Sequence, residues 1–64
     1  MGRLMDDNLL PLKWKLEKSI YQTTLAILRA AEAKNYVAAL ELTNQNIGKR
    51  FALALIEKEL EDDN

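Results

Sequence analysis

The segment RAAEAKNYVAAL, residues 29–40, decides the fold, because it interrupts an otherwise continuous helical pattern. Lys34 suits a helix C-terminus, and Asn35 can adopt the left-handed conformation or cap a second helix. Leu and Ala supply 20 of the 64 residues, whereas Val, Ile and Thr supply 8. Since this balance favours helix over strand, the sequence predicts an all-α antiparallel two-helix hairpin with its turn near 34–36.

Polar residues and a proline mark the start of the first helix. The side chains of Asp6–Asn8 can cap a helix that begins at residue 9, and Pro11 would then lie in its first turn, where its missing N–H is harmless. The predicted organisation is a flexible N-terminal segment 1–8, a hairpin domain 9–61 with helices at about 9–34 and 36–61, and an acidic tail 62–64.

A polar stretch in the second half of the chain leaves one alternative open. Residues 43–46 read TNQN and are followed by Gly48. Such a cluster can end a helix. A three-helix bundle with a break near 43–48 is therefore the alternative fold.

Each predicted helix carries two apolar surfaces on a helical wheel. The surfaces expected to face each other within the hairpin are Leu12, Leu16, Ile20, Thr23, Ile27, Ala30 and Ala31 on helix 1, and Val37, Leu40, Asn44, Ile47, Phe51 and Ala54 on helix 2. The second surfaces hold Trp14, Tyr21, Leu25 and Leu28 on helix 1, and Leu42, Leu53, Ile56 and Leu60 on helix 2. One hairpin covers only one surface of each helix. We therefore expect these eight residues to contact a second copy in a homodimeric four-helix bundle.

Two further residues of helix 2 are candidates for setting register and oligomeric state. Asn44 interrupts an apolar stripe, and one polar residue at such a position can specify how helices pair. Gly48 can allow the backbone of a neighbouring helix to approach closely.

Charge along the chain supports the hairpin. Folding about a turn near Asn35 brings residues whose numbers add up to about 70 to the same level, which places Lys13 beside Glu57 and Arg29 beside Glu41. The basic residues of helix 1 then meet the acidic end of the chain, although exposed pairs contribute only about 0–1 kcal/mol each.

The composition argues against most kinds of catalytic, metal-binding and phosphate-binding site. The chain has no Cys and no His, one Ser and two Gly, so it offers no thiol nucleophile, no imidazole metal ligand and no glycine-rich phosphate loop. Its longest apolar run, 51–56, is far shorter than the roughly 20 residues of a membrane-spanning helix. We expect neither an enzyme nor a cofactor, and the cytoplasm is the default location.

The sequence therefore predicts a small, self-associating protein–protein interaction or regulatory module that acts through apolar helix faces. Its protein partner is not identified by any motif. The alternative is a nucleic-acid-binding accessory protein that uses the basic residues Lys13, Lys15, Lys18, Lys49 and Arg50. The net charge of −1 argues against that alternative.

The stretch LAILRAAEAKNYVAALEL, residues 25–42, resembles the helix–turn–helix units of tetratricopeptide-type scaffolds and of the helical module of vesicle-coat outer-cage subunits. The resemblance covers turn and packing residues only. It implies a protein-interaction scaffold and assigns no functional site.

Overall fold

The computed structural model describes residues 2–62, and the side chains described are those of 9–61. Helix α1 spans Gly2–Glu32 and helix α2 spans Tyr36–Asp62. The two helices pack against each other as an antiparallel hairpin with extents of 49 × 15 × 12 Å. The predicted all-α hairpin is thus confirmed.

The turn between the helices is closed by backbone hydrogen bonds and one side-chain cap. Lys34 has a φ of 62°, its N–H donates to the carbonyl of Ala31, and the N–H of Asn35 donates to the carbonyl of Ala30. These two bonds form a Schellman motif, which satisfies carbonyl groups at the end of α1. Asn35 Oδ1 then accepts the N–H of Ala38 at 3.2 Å and caps α2. The left-handed residue is Lys34, while Asn35 takes the capping role.

Helix α1 is longer at its N-terminus than the sequence indicated. It begins at Gly2 rather than at residue 9, so that Pro11 lies inside the helix instead of in its first turn. Because proline has no N–H, the carbonyl four residues earlier lacks its usual helical hydrogen bond there. Asp62 ends α2, and residues 63 and 64 of the predicted acidic tail lie outside the described residues.

Helix α2 is continuous through 43–48, so the three-helix alternative is wrong. The polar residues of this stretch are compatible with a helix because their side chains either form hydrogen bonds or are exposed to solvent. Thr43 Oγ1 donates to the carbonyl of Ala39 at 2.8 Å, Asn44 is exposed, and Asn46 faces α1.

Three side-chain contacts across the hairpin define its register. Asn46 contacts Thr24, Lys49 contacts Thr23, and Lys13 lies 4.0 Å from Glu57. The residue numbers of each pair add up to 70 or 72, which confirms the register expected from the charges. No ion pair between the described side chains joins Arg29 to Glu41.

One stripe on each helix faces the other helix, and we call the two stripes together the seam. Its members recur at alternating intervals of three and four residues, as in an antiparallel coiled coil. All of them are half-buried or buried: Leu9, Lys13, Leu16, Ile20, Thr23, Ile27 and Ala30 on α1, and Ala39, Leu42, Asn46, Lys49, Leu53, Ile56 and Leu60 on α2.

The two buried side chains of the described part of the hairpin are polar. They are Thr23 and Asn46, at 8% and 5% exposure, and no described apolar side chain is buried. The apolar residues of the seam are therefore only partly removed from water, and the described side chains of 9–61 form no fully enclosed apolar core.

Candidate interaction surface

Polar side chains occupy the middle of the seam. Thr24 Oγ1 donates to the carbonyl of Ile20 at 2.8 Å, so its oxygen accepts the 3.0 Å hydrogen bond from Asn46 Nδ2. Lys49 Nζ donates to Thr23 Oγ1 at 2.8 Å. Asn46 Oδ1 is buried and has no hydrogen-bond partner among the described residues. These contacts hold the two helices in one register, since a polar group paired in a seam disfavours shifted pairings.

Asn46, rather than Asn44, is the polar residue of the seam. Asn44 is exposed and lies outside the stripe of half-buried residues that faces α1. Gly48 is also exposed, and a methyl group built at its Cα meets no atom within 4 Å. Both residues are thus exposed on the single hairpin, and their role in oligomer specificity stays a prediction.

Helix α2 faces α1 with the stripe that we predicted for a partner, and it exposes the stripe that we predicted to face α1. The stripe expected to face α1 is exposed, with Val37 at 70% and Phe51 at 69%. Leu42, Leu53, Ile56 and Leu60, which we predicted to contact a partner, are half-buried on the stripe that faces α1. Asn46 and Lys49 lie on this same stripe and bond to the hydroxyl groups of Thr24 and Thr23 on α1, contacts between distant residues that hydrophobic periodicity alone does not reveal.

The predicted interface residues of α1 lie largely in solvent. Trp14, Tyr21 and Leu28 are 60%, 64% and 56% exposed, and Leu25 is half-buried. On this helix the hairpin does use a stripe close to the expected one. Two of its expected members, Leu12 and Ala31, are exposed, while the others lie in the seam: Leu16, Ile20, Thr23, Ile27 and Ala30.

Large apolar side chains are exposed over both helices. Those that the structure describes as exposed are Leu10, Leu12, Trp14, Tyr21, Leu28, Tyr36, Val37, Leu40, Ile47, Phe51 and Leu55. Single exposed apolar residues are ordinary, but contiguous apolar patches mark binding sites.

The basic residues proposed for nucleic-acid contact do not form one surface. Lys13 and Lys49 are half-buried, the first beside Glu17 and Glu57 and the second bonded to Thr23. Lys15, Lys18 and Arg50 are exposed. Because the first two cations already contact side chains of the hairpin, the five do not line up as a stripe that could follow a phosphate backbone.

Charged side chains line a cleft at the open end of the hairpin, opposite the turn. Lys13, Glu57, Leu60 and Glu61 line an open cleft of about 310 Å³. Across the described residues there is no cluster of three side chains suited to hold a metal ion. Neither α1 nor α2, as described, contains a stretch long and apolar enough to cross a membrane.

Comparison with known proteins gives no relative. No protein-family model matches the chain, and no curated protein or solved structure shows a significant match to it.

Proposed function

We propose that this protein is a small, non-catalytic interaction or regulatory module that self-associates through its exposed apolar helix faces. The observation that carries the proposal is the burial pattern of the described side chains: the two that are buried are polar, while eleven large apolar side chains are exposed.

The hydrophobic effect explains why such a hairpin needs a partner. Moving apolar surface out of water contributes roughly 25 cal/mol per Å², and the hairpin leaves much of this contribution unused. A chain of this length is already near the lower limit at which one apolar core stabilises a domain. Association of two copies supplies the missing core, and a four-helix bundle is the arrangement that two hairpins form most directly.

Sedimentation equilibrium tests the proposal. At micromolar chain concentration we expect the mass of a dimer rather than that of the 7.3 kDa chain, and the helical circular-dichroism signal should fall on dilution as the dimer dissociates. A compact, folded monomer over the whole concentration range would contradict self-association.

A titration with mixed-sequence DNA and RNA at low salt serves as the control for specificity. We expect no binding, because the cationic side chains are scattered and two of them already contact side chains of the hairpin. Binding that weakens steeply with added salt would instead support the nucleic-acid alternative.

A further inference from the structure

We infer that the hairpin is a two-register switch: α2 can pair with α1 in a second register, two residues away from the observed one, and this shift exchanges the stripe of α2 that is exposed. The inference concerns a single chain, so it goes beyond the proposed function and does not depend on self-association. On α2 the seam holds Ala39, Leu42, Asn46, Lys49, Leu53, Ile56 and Leu60. We call the exposed residues two positions before them the outer stripe: Val37, Leu40, Asn44, Ile47, Phe51, Ala54 and Lys58.

The two stripes of α2 match each other member by member. Each residue of the outer stripe precedes a seam residue by two, so both stripes recur at the same intervals of three and four residues. Each stripe also contains four large apolar residues, one Ala, one Asn and one Lys. Because hydrophobic stabilisation scales with the apolar area that is buried, it gives little preference for one stripe over the other.

The polar middle of α1 meets an Asn in either register. The contacts between the helices join residues whose numbers add up to 70 or 72, so Asn46 is the seam residue of α2 nearest in level to Thr23. A shift of two residues brings Asn44 to this level instead. Thr23 is buried, and a buried hydroxyl needs a polar neighbour. The outer stripe supplies one at the required position.

The second register also brings compatible residues together beside Thr23. Ile20 is nearest in level to Lys49 in the observed register, and it would be nearest to Ile47 in the second one. Glu17 lies beside the seam, and the residues that flank the outer stripe on that side near its level are Gly48 and Leu55. The shift therefore places no carboxylate of α2 against Glu17.

The shift requires a rotation of α2 and a turn that lies one residue earlier. Two residues of an α-helix correspond to about 200° of rotation and about 3 Å of translation. The turn, now centred on Lys34, would be centred on Ala33. Ala33 would then take the left-handed conformation, and Lys34 would replace Asn35 as the cap although its side chain has no acceptor oxygen.

A few polar contacts favour the observed register. They are the cap of Asn35 on Ala38 and the bonds from Asn46 and Lys49 to α1. Each contributes about a factor of five, so together they favour this register by roughly 100-fold. The buried Oδ1 of Asn46 has no partner among the described residues and offsets part of this preference. A minor state of about 1% lies within the range that is typical of proteins with two conformations.

The register decides which apolar side chains of α2 a partner can contact. The observed register exposes the outer stripe, whereas the second register would expose Leu42, Leu53, Ile56 and Leu60. A partner that binds one of these surfaces shifts the population as far as its affinities for the two states differ. Because the shift also moves the turn, it couples the outward surface of α2 to the end of the hairpin.

A variant with its favourable turn residues moved by one position tests whether the second register forms. It combines Ala33→Gly, Lys34→Asn and Asn35→Ala, which places Gly at the new left-handed position and a capping Asn directly after it. Lys34→Gly alone is the matched control, because it relieves the strain of the observed turn, where Lys34 has a φ of 62°.

Spin labels report the register, because the chain has no native Cys. Gln22→Cys and Gln45→Cys carry the labels, and dilution with unlabelled protein restricts the measurement to distances within one chain. In the observed register both positions lie on the side of the seam away from Thr24, so the labels should be about 10–15 Å apart on neighbouring helices. In the second register residue 45 lies on the opposite side, and the distance should exceed about 20 Å, since the width of a helix then separates the labels.

We expect the control variant to keep the short distance and most molecules of the moved-turn variant to show the long one. A moved-turn variant that is helical by circular dichroism and still gives the short distance overturns the second register.

Nuclear magnetic resonance relaxation dispersion on the parent chain tests whether it visits the second register, and this measurement remains decisive if the moved-turn variant does not fold. We expect exchange at the methyl groups of both stripes, such as Ile47 and Leu53, with a minor population of about 1%. Lys34→Gly should lower that population about fivefold. No exchange at either stripe overturns the switch. Exchange rates that vary with chain concentration would report association instead and would also overturn it.

Discussion

Replacing Asn46 by Leu should stabilise the hairpin, because Asn46 is the most deeply buried of the described side chains and only half of its amide is paired. Its Nδ2 donates to Thr24, whereas its Oδ1 has no partner among the described residues. Leu has the same number of side-chain heavy atoms and branches at the same carbon, so it suits the available space.

The expected magnitude follows from three contributions. The substitution removes one hydrogen bond, which costs about 1 kcal/mol, and removes a buried unpaired oxygen, whose penalty is about 1–3 kcal/mol. It also adds apolar burial that contributes about 1.5–3 kcal/mol for a fully buried Leu. Thr24 keeps its bond to the carbonyl of Ile20 and is not left without a partner. Together these contributions amount to about 1.5–5 kcal/mol. Because the described apolar side chains of the seam are only partly buried, we expect a net stabilisation near the lower end, about 2 kcal/mol.

Urea unfolding followed by circular dichroism, at one fixed chain concentration, measures this effect. With a slope of about 1 kcal/mol per molar urea, the midpoint should rise by roughly 2 M. The fixed concentration matters because association raises apparent stability. Asn44→Leu is the matched control: Asn44 is exposed, so its replacement should shift the unfolding free energy by less than about 0.5 kcal/mol.

One result would refute the reasoning. If Asn44→Leu stabilises the protein and Asn46→Leu does not, α2 faces α1 with the stripe of Val37, Leu40 and Phe51, and the observed seam is incorrect.

Three smaller predictions concern the turn and the charges. Lys34→Gly should raise the unfolding free energy by about 1 kcal/mol, because a φ of 62° strains any residue with a Cβ; thermal unfolding monitors the change, and a lower melting temperature would contradict it. Asn35→Ala should lower the unfolding free energy by about 1 kcal/mol through loss of the cap on Ala38, whereas Asn35→Asp, which retains an acceptor oxygen, should behave like the parent chain. Glu57→Gln should change stability by less than about 0.5 kcal/mol at low and at high salt, because its contact with Lys13 is long and partly exposed; a larger loss confined to low salt would show that the pair contributes more than its geometry indicates.

Local features of the sequence were sufficient to predict the position of the turn and the register of the two helices. Asn35 has a short side chain that caps the helix following it, and residues beyond it return beside α1 in the register that Lys13 and Glu57 indicated. Such features depend on a few neighbouring residues or on simple chain geometry, so they can be predicted from one sequence.

The start of α1 and the continuity of α2 were harder to predict. A capping cluster at Asp6–Asn8 and a proline favour a helix end, but the backbone continues as helix through both. Likewise, the polar stretch at 43–46 fits within α2 because the neighbouring helix pairs with Asn46. Local propensity is weak compared with tertiary contacts.

The sequence by itself determined that this protein is a two-helix hairpin with more apolar surface than one hairpin covers. Only the tertiary structure decided which stripe of α2 faces α1. Both stripes recur at intervals of three and four residues, so hydrophobic periodicity cannot rank them. The stripe that faces α1 joins residues far apart in the chain, Asn46 with Thr24 and Lys49 with Thr23, and these contacts exist only in the folded hairpin. In this arrangement Leu42, Leu53, Ile56 and Leu60 are half-buried against α1, while Leu40 and Ile47 are exposed.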